Sequence, residues 1–313
     1  MAQTLTSQIE TICGNPEIPG GWNVAVLPAN PAEGGLSAAY EGEEVIAAAS
    51  LTKMAIAHCV LIRDLPLDGP IELQPEDRPP GPDPDIVQYF RDGYTIDIGT
   101  ALERMLISGS NTCARALVRT LGGAKKANET IAETYPNTQL EIVQHPDHPY
   151  TENGPYARFT YGTTTATEAA NLLRDLLQDA YVATLLGSST FNYALRRSLA
   201  AEDNTRTPKM PADTALNREI AKHLGGILPD AAATYLLQRT TPRGKTNFPN
   251  KEGSMTDEKD PQQRVRHDVA RIGNFIVAAC SNGYLEDLPI GPNHPSHTVH
   301  GQLGRAVYNY SHA

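Results

Sequence analysis

The sequence predicts an α/β protein of the α+β kind, with an antiparallel sheet flanked by helices and an inserted all-α lobe. Two observations carry this. Short apolar runs of strand character lie at both ends of the chain, Trp22 to Pro28 early and His267 to Ile272 and Phe275 to Cys280 late. Bounded by turn residues, such runs read as neighbouring antiparallel strands. Helical patterns occupy the middle instead. At 313 residues the chain is long enough for one large domain or two modest ones. The expected division is a discontinuous sheet domain, 1–60 with 205–313, and a helical lobe, 61–204.

Residues 4–13 read as a short helix, and Trp22 to Pro28 as the first strand. Gly35 to Tyr40 together with Glu44 to Ala48 form a second strand that runs into an apolar helix, Ile56 to Ile62. Leu65 to Asp92 is proline-rich and acidic and cannot be helix interior, so it reads as a surface excursion. Thr95 to Leu121 returns to helix, with Asp97 as a cap. It is interrupted at Ser108-Gly109-Ser110-Asn111 and stopped by Gly122-Gly123. Asn137 to Tyr161 is irregular. Thr163-Thr164-Thr165 caps a helix expected to reach Leu186, with Glu168 in its first turns. Further helix is expected over 187–240, then the closing strands and a last helix from Val299 to Tyr310.

The net charge of −10 argues against a nucleic-acid partner, which calls for a basic patch, and against an anionic membrane surface. Met1 to Glu10 has neither a basic nor an apolar segment of secretory type, and no apolar run reaches the ~18 residues that span a bilayer. The expected location is the cytoplasm, or the periplasm or exterior if a signal has been removed. Cys13, Cys59, Cys113 and Cys280 form no Cys-x-x-Cys pair and have no histidine at zinc-like spacing, so no metal site is expected. Cys59 and Cys113 fall inside helical patterns and read as buried thiols.

The chemistry centres on Ser50-Leu51-Thr52-Lys53. On a helix, positions i and i+3 share a face, so the Ser50 hydroxyl and the Lys53 amine meet. A serine hydroxyl needs an adjacent base to act as a nucleophile, and an unprotonated lysine can be that base. Two further elements follow in order: the polar turn Ser108 to Asn111, and Lys251-Glu252-Gly253-Ser254 opening a hairpin.

These three elements resemble the motif set S-x-x-K, S-D-N and K-T-G of the penicillin-recognising serine enzymes, closest to the class A β-lactamases. The flanks match too: Asp92-Gly93-Tyr94-Thr95, Leu121-Gly122-Gly123, Thr163-Thr164-Thr165 and His267-Asp268-Val269-Ala270. The resemblance covers almost the whole chain and implies a β-lactamase/transpeptidase-like fold. It implies that Ser50 is the acylated nucleophile, that Lys53 takes or shares its proton, and that Asn111 holds Lys53 and the substrate amide. Lys251 supplies positive charge beside the site. The N–H groups of Ser50 and Ser254 form the oxyanion hole. Ser108, Gly253 and Arg266 contribute to substrate binding, Arg266 by pairing with a carboxylate.

Three departures shape the functional expectation. Aligned without gaps, Gly109 stands where the family has its proton-relaying serine, so Ser108 or Ser110 replaces it or the relay is lost. The loop before Thr163 lacks the E-x-x-L-N motif whose glutamate activates the deacylating water, and His145, His148 and Glu152 are the candidate bases there. Glu252 replaces the threonine of K-T-G; strand alternation sets it on the face opposite Lys251 and Gly253. The expectation is a β-lactamase-like serine hydrolase or acyltransferase that acts on a small-molecule amide, lactam or ester through acyl-Ser50, without a cofactor. The alternatives are a true class A β-lactamase and a catalytically inactive, ligand-binding relative. The oligomeric state stays open.

Overall fold

The computed structural model describes residues 4–16, 20–33, 37–78, 87, 90, 92–142, 162–188, 250–256, 264–282 and 295–311. The N-terminal helix α1 (Leu5–Cys13) begins at Thr4, whose hydroxyl accepts the Ser7 N–H. It is followed by β1 (Gly21–Pro28) and β2 (Ala38–Tyr40). From the other end of the chain come β7 (Asn250–Thr256), β8 (Arg264–Ile272) and β9 (Phe275–Asn282). Together they form a five-stranded antiparallel sheet in the order β2-β1-β9-β8-β7. The sheet is thus built from both ends of the chain, as expected. Gly273, at φ +56°, makes the tight β8–β9 turn that a side chain would strain.

The sheet is covered on both faces, and alternation along each strand sorts its residues. Trp22, Val24 and Val26 of β1, Ala270 and Ile272 of β8, and Val277 and Ala279 of β9 pack with α1 and the C-terminal helix α8 (Pro295–Ser311). Ala25 and Leu27, Val269, and Ile276, Ala278 and Cys280 face the larger core with the remaining helices. At the centre of that core lies α2 (Thr52–Ile62), whose residues from Thr52 to Val60 are all buried. Over that span no face of the helix is left to solvent, so its polar side chains, Thr52, Lys53 and His58, are internal too.

The expected second strand divides in two. β2 pairs with β1, whereas β3 (Ile46–Ala47) leaves the main sheet and pairs with β6 (Thr163–Thr164). The break falls at Glu41, which sits at φ +47°; a residue in the left-handed region cannot continue a strand. The helix after Thr165 also divides, into α6 (Ala166–Leu176) and α7 (Ala180–Ser188). Thr165 and Glu168 form a reciprocal capping box at the start of α6.

The acidic excursion after α2 is tied down in its described part. β4 (Pro70–Glu72) pairs with β5 (Thr95–Asp97), and Arg119 of α4 (Asn111–Thr120) donates to both carboxylate oxygens of Asp77 at 3.0 and 2.7 Å. Between β5 and α4 run α3 (Ile98–Glu103), capped by Asp97 as expected, and a π-helical stretch, Arg104–Ser108. After Gly123, α5 (Ala124–Thr134) packs against α2. All four cysteines are free and buried. Burial pushes the thiols of Cys13 and Cys59 up to about 12, which keeps them neutral and unreactive. No helix among the described residues is long and apolar enough to cross a membrane. Of the further helix expected over 187–240, residues 189–240 lie outside the described residues.

Candidate active site

Ser50 sits in a single 3-10 turn, Ala49–Leu51, that feeds directly into α2. The turn is entered through Ala49 at φ +47°, an uncommon conformation for a residue with a Cβ. Three contacts hold the backbone there. The Ala48 N–H donates to the Gly162 carbonyl at 2.9 Å, and the Thr52 hydroxyl to the Ala49 carbonyl at 2.9 Å. From β8, His267 Nε2 lies 2.7 Å from the Ala47 carbonyl. Gly162 has no substitute at this point: at φ +105°, a Cβ would stand 1.8 Å from the Glu141 carbonyl oxygen.

One helical turn above Ser50, Lys53 is buried at 4% exposure. Its Nζ donates to Ser50 Oγ at 3.0 Å, to the Gly109 carbonyl at 2.8 Å and to Asn111 Oδ1 at 2.7 Å. The i,i+3 spacing therefore does bring hydroxyl and amine together. The Gly109 carbonyl has no signal in the sequence, because a backbone acceptor carries no residue type.

The turn that supplies two of those acceptors is made by the π-helical stretch. Gly109 closes it in the left-handed region at φ +77°. The N–H groups of Gly109 and Ser110 both converge on the Arg104 carbonyl. Widening the last turn in this way lets the next helix start abruptly at Asn111. Ser110 is fully buried, and its hydroxyl accepts the Cys113 N–H at 3.1 Å as the cap of α4. Ser108 is half-buried at the end of the π stretch.

The third element, β7, is the edge strand of the sheet and packs against the Ala49–Leu51 turn. An edge strand leaves alternate N–H groups outside the ladder, available to an incoming group. Lys251 is buried at 1% exposure and pairs with Val269; Gly253 pairs with His267, and Ser254 with Arg266. Position 252 falls across from Asp268, on the register row that alternates with those of Lys251 and Gly253. The side chains of Ser254 and Arg266, and the candidate bases His145, His148 and Glu152, lie outside the described residues.

The arrangement gathers a hydroxyl, a lysine amine and an asparagine amide at one point, with a buried lysine on the strand that packs against the Ser50 turn. Solved β-lactamases share this fold. The enzyme from Xanthomonas campestris pv. campestris superposes with a TM-score of 0.65 at 15% identity, covering 98% of this chain and 99% of that one. The one from Mycobacterium abscessus gives 0.63 at 14%, covering 99% and 100%. An ancestral class A β-lactamase gives 0.63 at 19%, covering 98% and 100%. Among curated proteins, none matches the chain. The model of the β-lactamase enzyme family matches residues 4–311. From end to end of its described fold, the chain belongs to the β-lactamase enzyme family.

Proposed function

We propose that the protein is an acyl-transferring serine hydrolase in which a small-molecule amide, lactam or ester acylates Ser50 and the acyl group leaves slowly. One observation carries this reading: the three acceptors around Lys53 Nζ. The Gly109 and Asn111 oxygens only accept, so they take two N–H groups of the amine. The third tetrahedral position then faces Ser50 Oγ. In a neutral amine it holds the lone pair, which receives the hydroxyl proton. In the resulting ammonium it holds an N–H. The same geometry thus serves the base and its conjugate acid.

On this reading Ser50 Oγ attacks the substrate carbonyl carbon as its proton passes to Lys53. Negative charge develops on the carbonyl oxygen. The N–H of Ser50, in the turn that leads into α2, and that of Ser254 on the edge strand receive it. Removing one such donor in other serine enzymes costs about 3–4 kcal/mol. The leaving nitrogen or oxygen takes a proton as its bond to carbon breaks. With glycine at 109 and the Ser110 hydroxyl fully buried at the head of α4, we assign that proton to the Lys53 ammonium. Asn111 orients the substrate amide, and Lys251 attracts its carboxylate.

Slow release is supported by the sequence, which lacks the glutamate motif of class A enzymes before Thr163. The test is the intact mass of the protein after exposure to a fluorescent penicillin or a fluorophosphonate. One adduct is expected, absent from Ser50→Ala and strongly reduced in Lys53→Ala, and it persists once excess penicillin is removed. No adduct with either reagent sinks the enzyme reading in favour of a ligand-binding relative. Rapid turnover of a chromogenic cephalosporin sinks slow release and favours an efficient β-lactamase.

A further inference from the structure

We infer that His267 is a positioning residue that sets the separation of the two oxyanion-hole donors. The inference rests on the assignment above of Ser50 and Ser254 N–H to that hole. It is carried by the way His267 joins both halves. Its backbone pairs with Gly253, the residue before Ser254, in the β7–β8 ladder. Its side chain reaches the other half: Nε2 lies 2.7 Å from the carbonyl of Ala47, three residues before Ser50. A carbonyl only accepts, so Nε2 carries the hydrogen and the imidazole donates.

Everything about the position favours a rigid link. His267 is fully buried, on the row of the sheet that continues through Cys280 of β9 to Asn23 of β1. It stands one alternation from Val269, which faces the α2 core. The strand it grips, β3, otherwise belongs to a separate two-stranded sheet with β6. Gripping β3 at Ala47 fixes the entry to the strained Ala49 and the Ser50 turn relative to the main sheet. The His267 bond thus adds a directed link to the packing of β7 against the Ser50 turn. Transition-state stabilisation depends on donors held at fixed separation, and a displacement of about 1 Å at a reacting centre costs roughly 10²-fold in rate.

The test separates acylation from binding and from folding. His267→Phe keeps ring volume and removes the donor; His267→Gln keeps a donor of similar reach. The maximal acylation rate constant and the dissociation constant of the initial complex are measured with a fluorescent penicillin, alongside the melting temperature. His267→Phe is expected to lower the maximal rate about 10²-fold, leaving initial binding within a few-fold, and His267→Gln to restore most of the loss. Should His267→Phe not fold, His267→Asn, polar but too short to reach Ala47, makes the same prediction. A variant that is less stable yet acylates at the wild-type maximal rate overturns the inference alone. A wild-type protein that takes no adduct overturns the underlying reading and this inference with it.

Discussion

Lys53 shows how far a single residue can be read in advance. Its meeting with Ser50 follows from helix geometry, and with Asn111 from the motif order. The Gly109 carbonyl that also accepts from its amine depends on a π-helical turn and a left-handed glycine, features of the backbone alone. His58, five residues along the same helix, is a second buried group with a readable consequence. Burial lowers its affinity for a proton, and the charge of Asp175 opposes this only in part. Its ring lies 5.2 Å from that of Tyr135, whose hydroxyl donates to Asp175. The folded state then binds a proton at His58 less readily than the unfolded chain, whose histidines titrate near 6.5. Below that value the unfolded state holds more protons, so stability falls as the pH drops. In His58→Phe, the loss of melting temperature between about pH 7.5 and about pH 5 is expected to be smaller than in the wild type, as followed by circular dichroism.

At the scale of elements, the acidic stretch after α2 behaves differently from its composition. Proline and charge mark it as a surface excursion, yet Asp77 is 2% exposed and clamped by Arg119. The same guanidinium donates to the Glu72 carbonyl at 2.7 Å, and Arg115 donates to the Arg78 carbonyl at 2.8 Å. Two arginines one turn apart on α4 thus fasten the excursion to the helix that carries Asn111. The hydrogen bond to Asp77 is the main reason the Arg119 guanidinium is raised above its ordinary pKa. Arg119→Ala leaves the Asp77 carboxylate buried without its cation. Because the Arg119 side chain is 34% exposed, the expected cost is about 2 kcal/mol rather than the larger loss of a fully buried pair. Urea unfolding measures it, and Asp77→Asn in the same background is expected to recover part of it. No pairing rule in the sequence links residue 77 to residue 119, because the contact is made only when β4 and α4 come together.

Over the whole molecule, the sheet separates two apolar cores with different duties. The α2 side carries the candidate site; the α1 and α8 side supports the sheet from behind. There Trp22 meets His300 edge-on at 5.2 Å, and His300 Nε2 lies 3.0 Å from the Ala279 carbonyl, so α8 is fastened as well as packed. Leu303 is fully buried in this second core. Leu303→Ala is expected to cost about 3 kcal/mol of stability through the cavity it opens, while the folded fraction acylates at the wild-type maximal rate. A matching loss in acylation rate would show that the back of the sheet governs the site, contrary to this division.

The sequence by itself determined the strands at both ends of the chain, the apolar α2, the caps at Asp97 and Thr165, and the order of Ser50, Lys53, Asn111 and Lys251. These rest on periodicity, local side-chain-to-backbone bonds and chain order, all of which are written locally. Tertiary structure decided where β3 goes, what holds the Ser50 turn, and which atoms surround Lys53. Those outcomes join residues far apart in the chain, such as His267 with Ala47 and Gly162 with Ala48, and several of the joining atoms are backbone carbonyls. A carbonyl is identical in every residue, so only folding can show which one a side chain meets.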